Sequence, residues 1–205
     1  MSRRAAREKR GLNPEGFLLA VFGGSQGATA LNEWVDRHCR EILSRGIDVF
    51  CVRGLGKGAE GVLEEKDGRG NVRRCHTVGF CDSMHWVLSA ADLAVSRAGA
   101  GSIAELVHCA LPSVLVPYPF ASDGHQTENA RYLEAQGGCV VVEQDYLDTL
   151  LGEVSALAAN PGHLARMREN LGLAADAERK EDLASDLEKL AAGFRARRPA
   201  RTAEA

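Results

Sequence analysis

The sequence lacks any long hydrophobic run, and this absence excludes two classes of protein. None of its apolar stretches approaches the roughly 20 residues that a membrane-spanning helix needs. Its charged amino terminus has no apolar segment of the kind found in a secretory signal peptide. We therefore expect no membrane-spanning helix and no export of the protein. A cytoplasmic location is expected instead. Hydrophobic residues make up 45% and charged residues 26% of the 205 residues, which is the balance of a globular domain rather than of a disordered chain.

The sequence also lacks closely spaced metal ligands. Its six cysteines are scattered without a C-x-x-C pair, and its six histidines do not cluster with them at ligand spacing. Several of the cysteines fall in apolar segments such as Gly-Gly-Cys139-Val-Val-Val. We expect reduced thiols rather than a disulfide framework, no metal site and no cofactor.

A net positive charge is missing as well. The chain carries a net charge of −3, although residues 1–10 hold five Lys or Arg against one Glu, so the remainder is more acidic than the whole. Such a domain has no basic face with which to displace counterions, and we expect no nucleic-acid partner. Residues 1–15 form a basic leader or linker remnant. A solvated end is favoured there over contact with phosphate or anionic lipid.

Segments typical of strands and helices alternate through residues 17–142. The strand-like segments are 17–22, 47–52, 71–80, 92–96, 113–116 and 139–142, and the helix-like segments are 28–45, 84–91, 102–109 and 126–136. Residues 53–71 are expected to be loop with a short helix. This order predicts a Rossmann-like, doubly wound parallel sheet whose ligand lies beyond the carboxyl ends of the strands.

The expected organisation is a nucleotide-binding domain over residues 16–160 followed by helices. Pro161 breaks the helical pattern that starts at Asp145, and a helical extension covers residues 161–194. That extension could cover the sheet, pack on another domain or dimerise. Residues 195–205 are rich in Ala, Arg and Pro, and a frayed tail is expected there.

The first polar loop beyond a strand is Gly23-Gly24-Ser25-Gln26-Gly27-Ala28. Small residues allow backbone N–H groups to approach a phosphate at the start of a helix. The loop matches neither G-x-x-x-x-G-K-[ST] nor G-x-G-x-x-G, which disfavours a triphosphate P-loop and a dinucleotide fingerprint. A tight turn that needs small residues is an equally good interpretation of the loop alone.

The second and third loops offer side chains for a polar ligand. Arg97 could present its fork to a phosphate or an acidic group. Ser102 and Glu105 have the spacing of a capping box, which spacing alone favours over a carboxylate that accepts ribose hydroxyls. In the third loop, Asp123 could cap a helix, while imidazole and amide groups further on could bind sugar and phosphate oxygens. Three such loops at the strand ends of one sheet favour a nucleotide diphosphate over a metal or a nucleophile.

The segments GGSQGA, SRAGAGSIAEL and LVPYPFASDGHQTENARYLEAQGG resemble, in order and spacing, the MurG family of undecaprenyl-diphospho-muramoylpentapeptide β-N-acetylglucosaminyltransferases. The resemblance covers roughly residues 12–145. It implies the C-terminal, donor-binding half of a GT-B glycosyltransferase. Such enzymes transfer N-acetylglucosamine from UDP-N-acetylglucosamine to lipid I, forming lipid II for peptidoglycan at the cytoplasmic face of the inner membrane.

The resemblance also implies roles for particular residues. Those at the diphosphate and sugar are Gly24, Ser25, Gln26, Gly27, Ala100, Gly101, Ser102, His125 and Gln126. Phe80 and Cys81 match the uracil position, and Glu105 would hold the ribose hydroxyls, which reverses the preference for a cap. Asn129 would support its loop, and Arg97 belongs to the motif without a defined role. A buried carboxylate and paired helix starts would thus grip the uridine sugar.

One departure from the family limits this expectation. Members of the family have an N-terminal domain that binds the lipid acceptor, and nothing of that kind precedes Met1 in this sequence. The resemblance therefore implies inverting, metal-independent transfer with the general base in a missing or separate domain, and peripheral membrane contact. The alternatives are a non-catalytic UDP-sugar-binding subunit or a truncated product that needs a separate acceptor-domain chain.

Overall fold

The computed structural model describes residues 3–9, 12–24, 28–121 and 124–180, and strands and helices alternate along them. The expected tail at 195–205 lies outside these residues, as do Ser25, Gln26, Gly27 and Asp123. The elements in the described ranges are α1 (Arg3–Lys9), β1 (Phe17–Phe22), α2 (Thr29–Ser44), β2 (Ile47–Val52), β3 (Gly61–Lys66), β4 (Val72–Val78), α3 (Met84–Ala90), β5 (Leu93–Ser96), α4 (Ala100–His108), β6 (Ser113–Leu115), α5 (His125–Ala135), β7 (Cys139–Val141), α6 (Leu150–Ala158) and α7 (Pro161–Lys180).

The strands form a single sheet in the order β3-β4-β2-β1-β5-β6-β7. All neighbouring pairs are parallel except β3 and β4. Phe22, at the end of β1, is in register with Val52 of β2 and Ser96 of β5. The carboxyl ends of the central strands therefore lie at one edge, as the predicted doubly wound fold requires.

Both faces of the sheet are covered by helices, because the central strands are largely apolar on both faces. Leu19 and Val21 of β1 point into a core with α2 and α6, whereas Leu18 and Ala20 point into a core with α3, α4 and α5. Full burial of a large aliphatic side chain contributes roughly 1.5–3 kcal/mol. The sheet is thus packed between two hydrophobic layers. The loops at its edges are not part of these layers.

Helix α2 lies within the predicted helix-like segment 28–45. Its apolar residues, such as Leu31, Trp34 and Ile42, are buried, and His38 is half-buried. The helix is followed by Gly46, whose φ of +85° is the left-handed conformation that favours glycine at the C′ position. Its N–H donates to the carbonyl of Leu43 at 2.9 Å.

The expectation of loop with a short helix over residues 53–71 is wrong for part of that range. Residues 61–66 form β3, an edge strand antiparallel to β4. Its side chains are exposed or half-buried, so the segment has no apolar alternation from which a strand could be predicted. Cross-strand charges stabilise it instead, including a 2.7 Å ion pair between Arg74 and Glu64.

The basic amino-terminal segment is not simply a solvated end. Residues 3–9 form α1, and Arg7 is only 4% exposed. Its guanidinium donates to the carbonyls of Ala90 and Gly16 and pairs with the carboxylate of Asp92. A buried guanidinium needs such partners, and they attach α1 to the sheet edge opposite the carboxyl ends of the strands.

The helices beyond the sheet belong to the same packed unit. Pro161 occupies the first position of α7, where its missing N–H costs no hydrogen bond. Leu164 and Met167 join the core beside α6, and Leu171 joins the core on the opposite face. The described part of the expected extension therefore covers the sheet. Within the described ranges, no helix is long and apolar enough to cross a membrane.

Candidate functional site

Three helices begin at the carboxyl edge of the sheet with N-cap residues whose side chains do not cap the first turn. The residues at the N-cap positions of α2, α4 and α5 are Ala28, Gly99 and Gly124, and none of them makes a side-chain cap hydrogen bond. The first N–H groups of a helix have no partners within the helix and carry partial positive charge. Three such starts together form an environment that suits an anion.

These helix starts surround a cavity of about 640 Å³. That volume lies within the range of ordinary small-ligand sites. The cavity is lined by Gly23, Gly24, Ala28, Thr29, Ala30, Glu33, Lys57, Arg97, Gly99, Ser102, Tyr118, Gln126 and Gln144.

A second, smaller cavity of about 210 Å³ adjoins the first one. Gly24 and Ser102 line both, so the two spaces meet between the β1–α2 and β5–α4 loops. Gly24 has a φ of +78°, and a Cβ placed on it would lie 4.0 Å from the Ser102 hydroxyl oxygen. The smaller cavity is lined by Phe22, Gly24, Val52, Gly54, Gly79, Phe80, Cys81, Met84, Ser102 and Glu105.

Most of the residues predicted for the site are brought together at this edge. Those that line a cavity are Gly24, Phe80, Cys81, Arg97, Ser102, Glu105 and Gln126. Ala100 and Gly101 form the exposed first turn of α4, and the exposed His125 begins α5. Ser25, Gln26 and Gly27 lie outside the described residues.

The capping-box interpretation of Ser102 and Glu105 is wrong. Helix α4 begins at Ala100, two residues before the predicted start, and its N-cap is Gly99. Ser102 is therefore the third helical residue, and Glu105 is too far along the helix to reach back to the N-cap. Glu105 is exposed rather than buried, and it lines the smaller cavity. The carboxylate is available to a ligand.

Arg97 does not offer its fork to the cavity as a free group. One guanidinium nitrogen donates to the carbonyls of Val116 and Pro117, both at 3.1 Å, and the other donates to Gln144 Oε1 at 2.5 Å. Arg97 is 6% exposed, and burial lowers the pKa of its guanidinium. The residue ties together the loops that follow β5, β6 and β7.

Two amide side chains of α5 fix the neighbouring loops. Gln126 accepts a hydrogen bond from the Tyr118 N–H through Oε1 at 3.0 Å, which leaves its NH₂ group for other contacts. Asn129 donates to the Ala98 carbonyl at 3.3 Å. Through these bonds the start of α5 is held against the second and third loops.

Several lining residues were not predicted from the sequence. Those with long side chains at the two cavities include Glu33, Lys57, Met84, Tyr118 and Gln144. Gln144 lies beyond β7, after Val142 and Glu143, and Lys57 lies in the loop after β2, so position beyond a strand was the available signal. Glu33 gave no such signal, since it lies within α2 and only the turn of that helix brings it to the rim.

The thiols of the chain are free and mostly buried. Burial raises the pKa values of Cys51 and Cys139 to about 12, so both thiols are protonated at neutral pH. In the part of the chain that the structure describes, no group of three or more His, Cys, Asp or Glu residues is placed to hold a metal ion.

The doubly wound sheet and its carboxyl-edge cavity define a Rossmann-like domain, and the comparisons below assign it to the GT-B glycosyltransferases. The comparison with known families is specific. Residues 18–187 match the glycosyltransferase family 28 C-terminal domain, so the chain belongs to that family.

Individual relatives agree with this assignment. The UDP-N-acetylglucosamine--N-acetylmuramyl-(pentapeptide) pyrophosphoryl-undecaprenol N-acetylglucosamine transferase of Opitutus terrae is 44% identical over 93% of this chain and 50% of its own length. The crystal structure of MurG from Acinetobacter baumannii is similar in fold, with a TM-score of 0.64 and 24% identity over 83% of this chain and 48% of that one. The chain thus spans about half the length of the relatives it matches.

Proposed function

We propose that this chain is the donor-binding part of a hexosyltransferase that transfers N-acetylglucosamine from UDP-N-acetylglucosamine to the lipid-linked acceptor lipid I. The product is lipid II, for peptidoglycan synthesis. One observation carries the proposal: three uncapped helix starts surround a cavity that joins a smaller pocket bearing Phe80 and Glu105. The names of the relatives supply the donor and the acceptor.

The two cavities divide the donor between them in this proposal. The diphosphate lies in the larger cavity, where the N–H groups of α2 and α4 point at its oxygens. The uracil lies in the smaller cavity beside Phe80, which is 56% exposed and free to stack, and Cys81. Between them, the Glu105 carboxylate accepts hydrogen bonds from the ribose hydroxyls.

In this proposal, residues at the starts of the helices bind the sugar. The free NH₂ group of Gln126 binds a sugar hydroxyl. The resemblance to the MurG family assigns Gly24, Ser25, Gln26 and Gly27 to binding of the diphosphate and sugar. Ala100, Gly101 and Ser102 line the phosphates, with His125 near them.

Transfer proceeds in this proposal with inversion at the anomeric carbon. An acceptor hydroxyl oxygen bonds to that carbon, the bond to the β-phosphate oxygen breaks, and UDP leaves with the electron pair. The acceptor proton passes to a general base in the acceptor-binding part of the enzyme. Fixed N–H dipoles stabilise the charge that develops on the leaving diphosphate, without a bound metal. The lipid acceptor implies peripheral contact with the cytoplasmic face of the membrane.

Calorimetric titration of the chain with UDP-N-acetylglucosamine and UDP tests the proposal. Glu105→Ala should weaken UDP binding at least roughly tenfold, because charge-assisted hydrogen bonds to both ribose hydroxyls are lost. The same substitution should leave the affinity for 2′,3′-dideoxy-UDP unchanged. Glu169→Ala is the matched control, since this exposed carboxylate lies on α7 next to Arg168, whose guanidinium contacts Asp92 at the opposite sheet edge.

Two results would contradict the proposal. One is a wild-type chain that binds neither ligand at millimolar concentration. The other is a Glu105→Ala chain that binds UDP as wild type does.

A second candidate is a non-catalytic UDP-sugar-binding subunit. In this candidate a separate chain binds the acceptor, and the chain described here spans about half the length of the relatives it matches. Lipid I supplied to the isolated chain together with UDP-N-acetylglucosamine separates the candidates. Lipid II formed without any other protein eliminates the subunit.

A further inference from the structure

The loop after β2 carries a lysine into the larger cavity. Lys57 lines that cavity together with the starts of α2 and α4. Its neighbours Gly56 and Gly58 have φ values of +70° and +97°, in the left-handed region that favours glycine. A turn in which the Lys57 N–H donates to the Gly54 carbonyl at 3.2 Å forms the tip of the loop. The glycines allow the tight turn that places the lysine at the cavity.

The charges around the cavity single out this lysine. Arg97 and Lys57 are the two basic residues among those that line it. The guanidinium of Arg97 is engaged by the carbonyls of Val116 and Pro117 and by Gln144. In contrast, the Lys57 ammonium makes no hydrogen bond or ion pair with any described residue. The cavity therefore has one cation fixed in its wall and one that is free to meet a ligand.

We propose that Lys57 is a diphosphate-binding residue of the donor site, an inference that rests on the proposed function. The helix starts offer partial charges from neutral N–H groups, whereas UDP brings full negative charges. An ammonium is a compact point charge with three donors, which suits phosphate oxygens. Glu33 lines the same cavity and would repel the diphosphate, so a cation here also offsets that carboxylate.

Binding of UDP and uridine to the 205-residue chain tests this role. Lys57→Met keeps most of the side-chain stem and removes the charge. It should weaken UDP binding roughly tenfold and reduce the dependence of UDP affinity on salt concentration, while uridine binding stays unchanged. Lys66→Met is the matched control: this exposed lysine ends β3 and pairs in register with Val72 at the start of β4, away from the cavities.

A second measurement on the wild-type chain does not depend on a variant folding. An amine-acylating reagent, followed by mass spectrometry, reports how accessible each lysine is. UDP should protect Lys57 from acylation and leave Lys66 unprotected, and uridine should protect neither.

The outcomes separate this inference from the function on which it rests. A wild-type chain that binds neither UDP nor uridine overturns the proposed function. If wild type binds UDP but Lys57→Met binds it equally well, or loses uridine and UDP affinity alike, the role of Lys57 is overturned and the donor site stands. That role is also overturned, with the donor site intact, if bound UDP leaves Lys57 unprotected.

Discussion

At the scale of single residues, Arg97 and Lys57 show how one kind of charge can serve two purposes at the same cavity. Arg97 is buried and donates to the loops after β6 and β7, whereas the Lys57 ammonium has no hydrogen-bond or ion-pair partner among the described residues. Burial decides between these roles, because a buried guanidinium must satisfy its N–H groups within the protein. The sequence position of a basic residue beyond a strand fits both a structural and a ligand-binding role. The neighbouring residues in the folded protein decide which role it has.

Removing the Arg97 guanidinium should therefore destabilise the fold as well as weaken binding. Arg97→Met leaves the carbonyls of Val116 and Pro117 without their donor inside the protein. We expect a loss of about 2–4 kcal/mol in the free energy of unfolding, measured by urea denaturation. Arg131→Met is the control, since its exposed pairs with Glu134 and Glu143 should contribute at most about 1 kcal/mol. Equal losses in the two variants would show that Arg97 does not tie the loops together.

At the scale of elements, the β3–β4 hairpin depends on one carboxylate at its turn. Asp67 Oδ1 accepts hydrogen bonds from the Arg69 and Asn71 N–H groups, both at 2.9 Å, and Oδ2 pairs with Arg73 at 3.0 Å. Burial by itself would raise the pKa of Asp67. The hydrogen bonds from Asn71, Arg73 and Arg69 outweigh burial and lower this pKa to about 2. The hairpin thus gains stability only while Asp67 is ionised.

This depressed pKa predicts an acid dependence of stability. The pKa of an unfolded Asp is about 3.9, so the Asp67 contribution is complete above that pH and is lost as the pH falls towards about 2. Urea unfolding at pH 6, 4 and 3 should show Asp67→Asn less stable than wild type at pH 6, with a difference that narrows at pH 3. Asp148→Asn, at an exposed site, should follow wild type at each pH. A constant difference between Asp67→Asn and wild type would refute the linkage.

At the scale of the whole molecule, α7 joins the two hydrophobic layers into one unit. Its early residues Leu164 and Met167 pack with α6 in one layer, and Leu171 packs in the other. Leu171 is fully buried, and a Cβ placed on Gly138 would lie only 2.7 Å from its Cδ2 atom. Close packing of this kind connects the end of α5, the start of β7 and α7, so the described helices after the sheet should unfold with it.

Truncating Leu171 tests whether the unit is cooperative. Leu171→Ala should cost about 3 kcal/mol of unfolding free energy through lost burial and the cavity that remains, with a single transition seen by both far-ultraviolet and near-ultraviolet circular dichroism. Leu173→Ala, at a site 65% exposed, should stay within about 0.5 kcal/mol of wild type. Two separate transitions would indicate that α7 is an appendage rather than part of the core.

The alternation of apolar strands with amphipathic helices was enough to predict the doubly wound sheet, since burial on both faces requires continuous apolar runs. The same order predicted that the ligand would lie beyond the carboxyl ends of the strands, because parallel strands end at one edge of the sheet. The resemblance to the MurG family, rather than this order, assigned Phe80, Glu105 and Gln126 to a common site, and all three line the two adjoining cavities.

Tertiary structure alone decided what depended on contacts between distant residues. Strand β3 has no buried face, so only its pairing with β4 made it a strand. The spacing of Ser102 and Glu105 fitted a capping box, but the helix begins at Ala100, so Ser102 is not its N-cap residue. The burial of Arg7 and Arg97 followed from carbonyls and a carboxylate that lie up to 85 residues away in the chain. Such partners leave no local pattern, because hydrogen bonds between separate elements are formed only when the whole chain has packed.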